Sequence, residues 1–192
     1  MKIITLEVSI VHVNQHPIGI DRSLIDITEA QRAIYDEISQ GPRGAVPSPF
    51  LAMLDRPALA KAIQQTGVEL RFRGILSGAE RELAILATAG TVGCGYEWQY
   101  HAPIARREGL ADHIIEATRK GIAPSDEHAR WAVIIRFCQS VTATRRVSRE
   151  LLAEVLELVG REGATELVAI AGYYALLASF IIIGGHDISL SN

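Results

Sequence analysis

The stretch RELAILATAGTVGCGYEWQYH, residues 81–101, decides how this chain is read. Cys94, Glu97 and His101 stand at positions i, i+3 and i+7 within it. On a helix those positions share one face, so a thiol, a carboxylate and an imidazole line a single stripe. Gly93 and Gly95 bracket the cysteine and predict a turn followed by a helix restart. A cysteine at a helix N-terminus meets the positive end of the macrodipole, which favours its thiolate. Glu82 lies twelve residues before Cys94 in an apolar run that predicts the preceding helix. If that helix folds back antiparallel, Glu82, Cys94, Glu97 and His101 converge around one cavity.

Outward from this segment the pattern is helical throughout. Thr28 and Gln31 form a capping-box pair, and Ile27, Ala30, Ile34 and Ile38 supply the apolar period of a helix over 28–40. GPRGAVPSPF, residues 41–50, reads as a loop, with Pro49 suited to a new helix N-terminus. Further helices are expected over 57–72, 79–91, 95–108, ended by Gly109, and 112–120, closed by Gly121. Ser125 is expected to cap a helix to about 144, and Ser148 one to about 159. The uncharged stretch LVAIAGYYALLASFIIIGG, residues 167–185, closes the fold. It is long enough to span a bilayer. It lacks basic flanks and an aromatic belt, and Tyr173 and Tyr174 sit mid-segment, so a buried bundle helix is the expectation and no membrane partner. No strand pair with hairpin chemistry is present. The fold class is all-α, with residues 1–25 as an extended N-terminal arm and 26–192 as one helical domain. A faint internal repeat aligns Glu82 with Glu166, which would make Glu166 a vestigial or interface carboxylate.

The chain has 192 residues, of which 48% are hydrophobic, and a mean hydropathy of +0.18. That is ample for a core and leaves apolar surface for an oligomer interface. A net charge of −3 gives no basic footprint for nucleic acid. Cys94 and Cys138 do not make a disulfide framework. A single Lys2 precedes an apolar stretch broken by Glu7 and His12, which is no signal-peptide pattern, and a cytoplasmic location is expected.

Each candidate has a bland alternative. A lone helical histidine is usually structural, but Glu97 one turn before His101 should raise its pKa and orient its ring. Glu97 alone would be a surface partner. Glu82 in an apolar run is costly unless paired. Cys94 is opposed as a thiolate by Glu97, and Cys138 reads as core. Tyr96 and Arg81 are substrate-binding candidates, and Arg71 and Arg73 belong with Arg81 as cations for a carboxylate; solvated helix faces are the plainer reading of the arginines. His12 and His16 are spaced i,i+4 in a segment read as extended, and no complete metal-ligand set is present.

The spacing E-x11-C-x2-E-x3-H formed by Glu82, Cys94, Glu97 and His101 resembles the carboxymuconolactone decarboxylase and alkylhydroperoxidase D superfamily. The phrases YEWQYHAPIARREGL (96–110) and ITEAQRAIYDEISQGPRGAVPSPF (27–50) are similar to an uncharacterised subfamily of it. The resemblance covers roughly residues 26–185. The peroxidase branch has a second cysteine where Glu97 stands, and often a histidine where Tyr96 stands. The decarboxylase branch commonly has a carboxylate four residues before the histidine, as here. The resemblance implies an alkylhydroperoxidase D-like helical bundle assembled as a homo-oligomer, a trimer or hexamer, with no cofactor. It implies two chemistries. One is Glu/His acid–base work on a small carboxylated or lactone-type substrate. The other is single-cysteine peroxide reduction (a peroxiredoxin activity) through Cys94, resolved by an external thiol because no C-x-x-C dithiol is available. A third reading is a non-catalytic helical oligomer that binds a ligand in the same pocket.

Overall fold

The computed structural model describes residues 16–120 and 129–187, apart from the Lys120 side chain. Among the described residues the chain forms eight helices and no strand. They are α1 (Glu29–Gln40), α2 (Ser48–Met53), α3 (Pro57–Phe72), α4 (Gly78–Val92), α5 (Gly95–Arg107), α6 (Asp112–Lys120), α7 (Ala129–Thr144) and α8 (Arg149–Ile183). The all-α expectation is met.

α4 is the central helix, packed against α5, α6, α7 and α8. Leu83, Ala84, Ile85, Leu86 and Ala87 are all fully buried, so consecutive residues on every side of α4 meet neighbours. That is why its sequence is apolar around the whole circumference rather than along one stripe. Its start is fixed by a capping box. The Ser77 hydroxyl oxygen accepts from the Glu80 N–H, and Glu80 Oε2 accepts from the Ser77 N–H. Glu80 also ion-pairs with Arg130, which ties the α4 start to α7. The expected Thr28/Gln31 box on α1 is likewise formed.

α8 is interrupted once. Gly160 takes φ 68° and ψ −177°, outside helical space, between the Ser148-capped first part and the apolar second part. The apolar part meets the length and composition of a membrane span. It buries Leu167, Ile170, Tyr174, Leu177 and Ile181 in the bundle while Val168, Leu176, Ile182 and Ile183 stay exposed. The segment 1–25 is described only from His16 onward, and there it turns instead of extending. Leu24 and Asp26 take φ of 56° and 57°, and Gly19 N–H donates to Asp55 Oδ2 at 2.7 Å. Gly121 and Ser125 lie outside the described residues.

Glu166 has a defined structural task within the chain. Its carboxylate accepts from Ile75 N–H at 2.7 Å and Leu76 N–H at 3.2 Å, pinning the loop before α4 to α8. The absent side chain of Gly74 leaves room for that carboxylate. Glu166 is therefore an intrachain clamp and not a vestigial carboxylate. Glu166→Ala is expected to cost about 1–3 kcal/mol, because two amide donors lose a charged acceptor. A lower urea midpoint at unchanged slope would report it, and an unchanged midpoint would count against the clamp.

Candidate active site

The α4–α5 corner builds the site. Gly93 closes α4 in the left-handed region at φ 72°, and its N–H and that of Cys94 donate back to Gly90 and Ala89 carbonyls. Cys94 is then the N-cap of α5. The reversal lays α5 against α4, and Glu82 on α4 reaches His101 on α5. His101 Nδ1 lies 2.6 Å from Glu82 Oε2, and its Nε2 lies 3.5 Å from Glu97 Oε2 one turn earlier on the same helix. All three side chains are buried, at 1%, 1% and 3% exposure for Glu82, His101 and Glu97. Tyr174 sets its ring edge-on to the imidazole with centroids 5.2 Å apart, and Tyr100 packs at 5.1 Å.

The electrostatics follow from burial and pairing. Burial by itself disfavours the His101 cation, but the hydrogen bonds and charges of Glu82 and Glu97 outweigh it and raise the imidazole pKa. Burial likewise opposes the Glu82 carboxylate. The bond from His101 and the charges of His101, Arg71 and Arg81 overcome that and hold it below its ordinary range. An ionised Glu82 accepts only, so Nδ1 carries the proton and donates. Glu82 Oε1 and Glu97 Oε1 are buried with no hydrogen bond.

Glu97 and His101 open on one narrow, tightly closed cleft. Arg43, Arg71, Tyr96, Tyr100 and Tyr174 line it with them, and Pro47, Pro49, Phe50 and Leu177 form its apolar wall. Glu82 stands behind the imidazole, out of the cleft. Tyr96 is at the rim, where its hydroxyl oxygen accepts from Ser48 N–H at 3.3 Å. Arg81 does not reach the cleft. It sits 3.6 Å from Glu82 Oε1 and acts on the carboxylate from behind, while Arg73 pairs with Glu69 on the surface.

Cys94 stands apart from the other three. Its side chain is fully buried against Ala178 and Ile181, with Val92 and Tyr96 around it, and it does not line the cleft. Its Sγ points at Asp187 Oδ1, 3.6 Å away, and the same carboxylate oxygen accepts from Tyr96 N–H at 3.0 Å. Asp187 thus supplies the negative charge at the α5 N-terminus. The macrodipole effect expected for the thiol is overridden: burial first, then the charges of Asp187 and Glu97, push Cys94 up to about 12. Cys138 is buried in α7, where burial also pushes it to about 12. His12 lies outside the described residues, and His16 stacks on His186 with centroids 3.8 Å apart. Among the described residues no group of three or more histidine, cysteine or acidic side chains is arranged to hold a metal ion.

Three residues of the site were not singled out from the sequence. Arg43 was read only as part of a turning loop, and Tyr174 only as a member of an apolar helix. Asp187 follows the apolar run and offered no spacing to α5. The usable signal was for Arg43 alone: a single cation between two glycines and flanked by Pro42 and Pro47 in GPRGAVP.

The carboxymuconolactone decarboxylase family model matches residues 57–150. Comparison with curated proteins gives no match. Two solved structures share the fold. One is an uncharacterized peroxidase-related protein from Ralstonia eutropha JMP134, described as an alkylhydroperoxidase AhpD core. It is 22% identical at a TM-score of 0.68, over 85% of this chain and 87% of that one. The other is an uncharacterized peroxidase-related protein from Silicibacter sp. TM1040. It is 18% identical at a TM-score of 0.70, over 94% and 96% of the two chains. At these identities the likeness is one of fold. Glu82, Cys94, Glu97 and His101 all lie inside the matched segment, so the chain is similar to the carboxymuconolactone decarboxylase family over residues 57–150 and shares the alkylhydroperoxidase D-like fold along most of its length.

Proposed function

We propose that this protein is an enzyme that moves a proton at carbon in a small carboxylated or lactone-type substrate. His101 and Glu97 do the proton transfer and Glu82 orients the imidazole. The observation that carries this reading is the buried Glu82–His101–Glu97 array, of which the latter two open on a single cleft. Carboxylates beside both ring nitrogens favour the charged imidazole, whose Nε2–H is then the proton to be given.

In a decarboxylation the bond from the substrate carbon to its carboxylate carbon breaks. The electron pair moves into a conjugated carbonyl or alkene, and CO2 leaves. His101 then delivers its Nε2 proton to the carbon that has lost the carboxylate. The ring regains a proton from water by way of Glu97. No oxidant, reductant, metal or organic cofactor enters this balance. The apolar wall of Pro47, Pro49, Phe50 and Leu177 supports it, because a poorly solvated carboxylate loses CO2 more readily.

This likeness supports decarboxylase-like or alkylhydroperoxidase-like chemistry. Peroxide reduction by Cys94 is the second reading, favoured by the peroxidase-related names of the two fold neighbours. It needs a thiolate, and the surroundings of Cys94 oppose one. It also needs an external thiol, since Glu97 occupies the place of a resolving cysteine. The reading as a whole includes a cytoplasmic homo-oligomer, a trimer or hexamer, whose contacts would cover the exposed Val168, Leu176, Ile182 and Ile183 of α8.

One experiment separates the two chemistries. Wild type and Cys94→Ser are assayed for CO2 release from carboxymuconolactone, and separately for reduction of cumene hydroperoxide with dithiothreitol. The expected result is decarboxylation of similar rate in both proteins and slow peroxide turnover in both. Fast, saturable peroxide reduction that disappears in Cys94→Ser would reverse the ranking.

A further inference from the structure

We propose that Arg43 and Arg71 form an anion-binding pair in the cleft, which anchors a substrate carboxylate that takes no part in the reaction. The inference rests on the proton-transfer reading for the position of the reacting bond, but the binding claim stands without it.

Arg43 comes from the loop between α1 and α2 and reaches into the cleft, its guanidinium carbon 4.9 Å from the centre of the Phe50 ring and 6.0 Å from that of Phe72. Arg71 comes from α3 and lies 5.6 Å from the Phe72 ring and 5.9 Å from that of Tyr100. The aromatic faces hold both planes in place, and Arg71 also donates to the Tyr100 hydroxyl, which leaves the rest of its fork for a ligand. Arg43 Nε and Nη2 are buried and have no hydrogen-bond partner among the described residues. The Tyr173 hydroxyl beside them is in the same condition. Neither guanidinium is ion-paired with a described residue. Buried donors left open in this way are rare, and a ligand that accepts from them is the physical remedy.

The backbone makes room for this arrangement. Gly67 lies mid-helix in α3, where glycine weakens the helix, and a Cβ there would run into Arg43 Nη2 and the Tyr173 hydroxyl. Charge points the same way. The chain is net negative, yet Arg43, Arg71 and a cationic His101 line this cleft beside Glu97, with Glu82 and Arg81 behind the imidazole. The cleft is a cationic spot in an acidic protein.

The fork of a guanidinium matches a planar carboxylate. A doubly charged phosphate fits less well, because Glu97 shares the same narrow cleft. The anchored carboxylate is not the one that leaves. Pairing with two arginines stabilises the anion in the ground state, and that stabilisation is lost as its charge moves into the substrate during CO2 departure. The leaving carboxylate therefore belongs next to Glu97 and the apolar wall, and the anchor sits at the other end of the molecule.

The test uses 5-oxotetrahydrofuran-2-carboxylate and its uncharged methyl ester as probes, titrated calorimetrically at low salt into wild type, Arg43→Gln, Arg71→Gln and His101→Gln. The carboxylate is expected to bind about tenfold or more tightly than the ester. Arg43→Gln and Arg71→Gln should each remove most of that difference while leaving the ester unaffected, and His101→Gln should keep it. With carboxymuconolactone as substrate, Arg43→Gln should raise KM and leave kcat nearly unchanged. Arginine-dependent binding in a protein that turns nothing over would sustain this inference while overturning the proton-transfer reading. Equal affinity for acid and ester, or an affinity that neither arginine variant changes, would overturn the inference. If Arg43→Gln fails to fold, Arg43→Lys and Arg71→Gln decide, since lysine keeps the charge but not the fork.

Discussion

His101→Ala is expected to lower turnover on the order of 10²–10⁴-fold, the range for losing a positioned general acid–base group. The imidazole is the one group that touches both carboxylates, and its Nε2 side opens on the cleft. Its removal therefore takes away the proton and leaves Glu82 and Glu97 facing each other without a cation between them. Glu97→Gln separates the two consequences. It keeps His101 and its bond to Glu82, so a fall in rate with retained thermal stability would report the relay alone. A His101→Ala protein that is folded and turns over at the wild-type rate would remove His101 from the mechanism. The loss should appear in kcat more than in KM, because the proton is delivered only as the carbanion develops.

Much of this site was legible because it depends on helix periodicity. Glu97 and His101 are one turn apart, and that spacing alone puts both on one face of α5. Glu82 needed one further step, the reversal at Gly93, and glycine in a left-handed turn is a local signal that sequence carries well. The helices over 57–72 and 112–120 were likewise visible from their caps and breakers. What was not legible depends on contacts distant in the chain. Arg43 enters the cleft because α2 and α3 hold Phe50 and Phe72 beneath it, and no local pattern encodes that. Asp187 meets Cys94 across 93 positions, so the thiol's environment was misjudged from its place at a helix N-terminus. Glu166 was matched to Glu82 by a faint repeat, yet one carboxylate holds an imidazole and the other holds two amides. The same residue type in similar sequence contexts thus does unrelated work.

Cys94 illustrates how position and chemistry part company. The helix dipole favours its thiolate by a modest amount, typically about 0.3–1 kcal/mol at an exposed site. Burial against Ala178 and Ile181, with Asp187 and Glu97 nearby, opposes it by more, as the rise to about 12 records. One unit of pKa corresponds to about 1.4 kcal/mol, so the sum of the opposing effects exceeds the dipole term. A thiol in such a place fills space at the α5 N-cap.

Glu82→Ala is expected to be the most destabilising single change in the site. It leaves the buried His101 with its Nδ1–H unpaired, and removing one partner of a buried charged pair typically costs about 3–5 kcal/mol. For a chain of this size that is a fall in Tm of roughly 6–20 °C. The pair also gives stability a defined pH profile. The Glu82 carboxyl is held below its ordinary value in the folded state, so its contribution is complete above about pH 4.3, where an unfolded glutamate titrates, and is lost as pH falls through the lowered folded value. The His101 pKa is raised on folding, so its contribution is complete below about pH 6.5, where an unfolded histidine titrates, and is lost as pH rises through the raised folded value. Both contributions are whole only between those two points, and the pair's stabilisation should peak there. Glu82→Gln should abolish the acid-side loss from this residue and shrink the alkaline-side loss, leaving the part due to Glu97. Chemical denaturation of wild type and Glu82→Gln across pH 3–9 measures both arms. Parallel profiles for the two proteins would show that the Glu82–His101 contact carries no proton-linked stability.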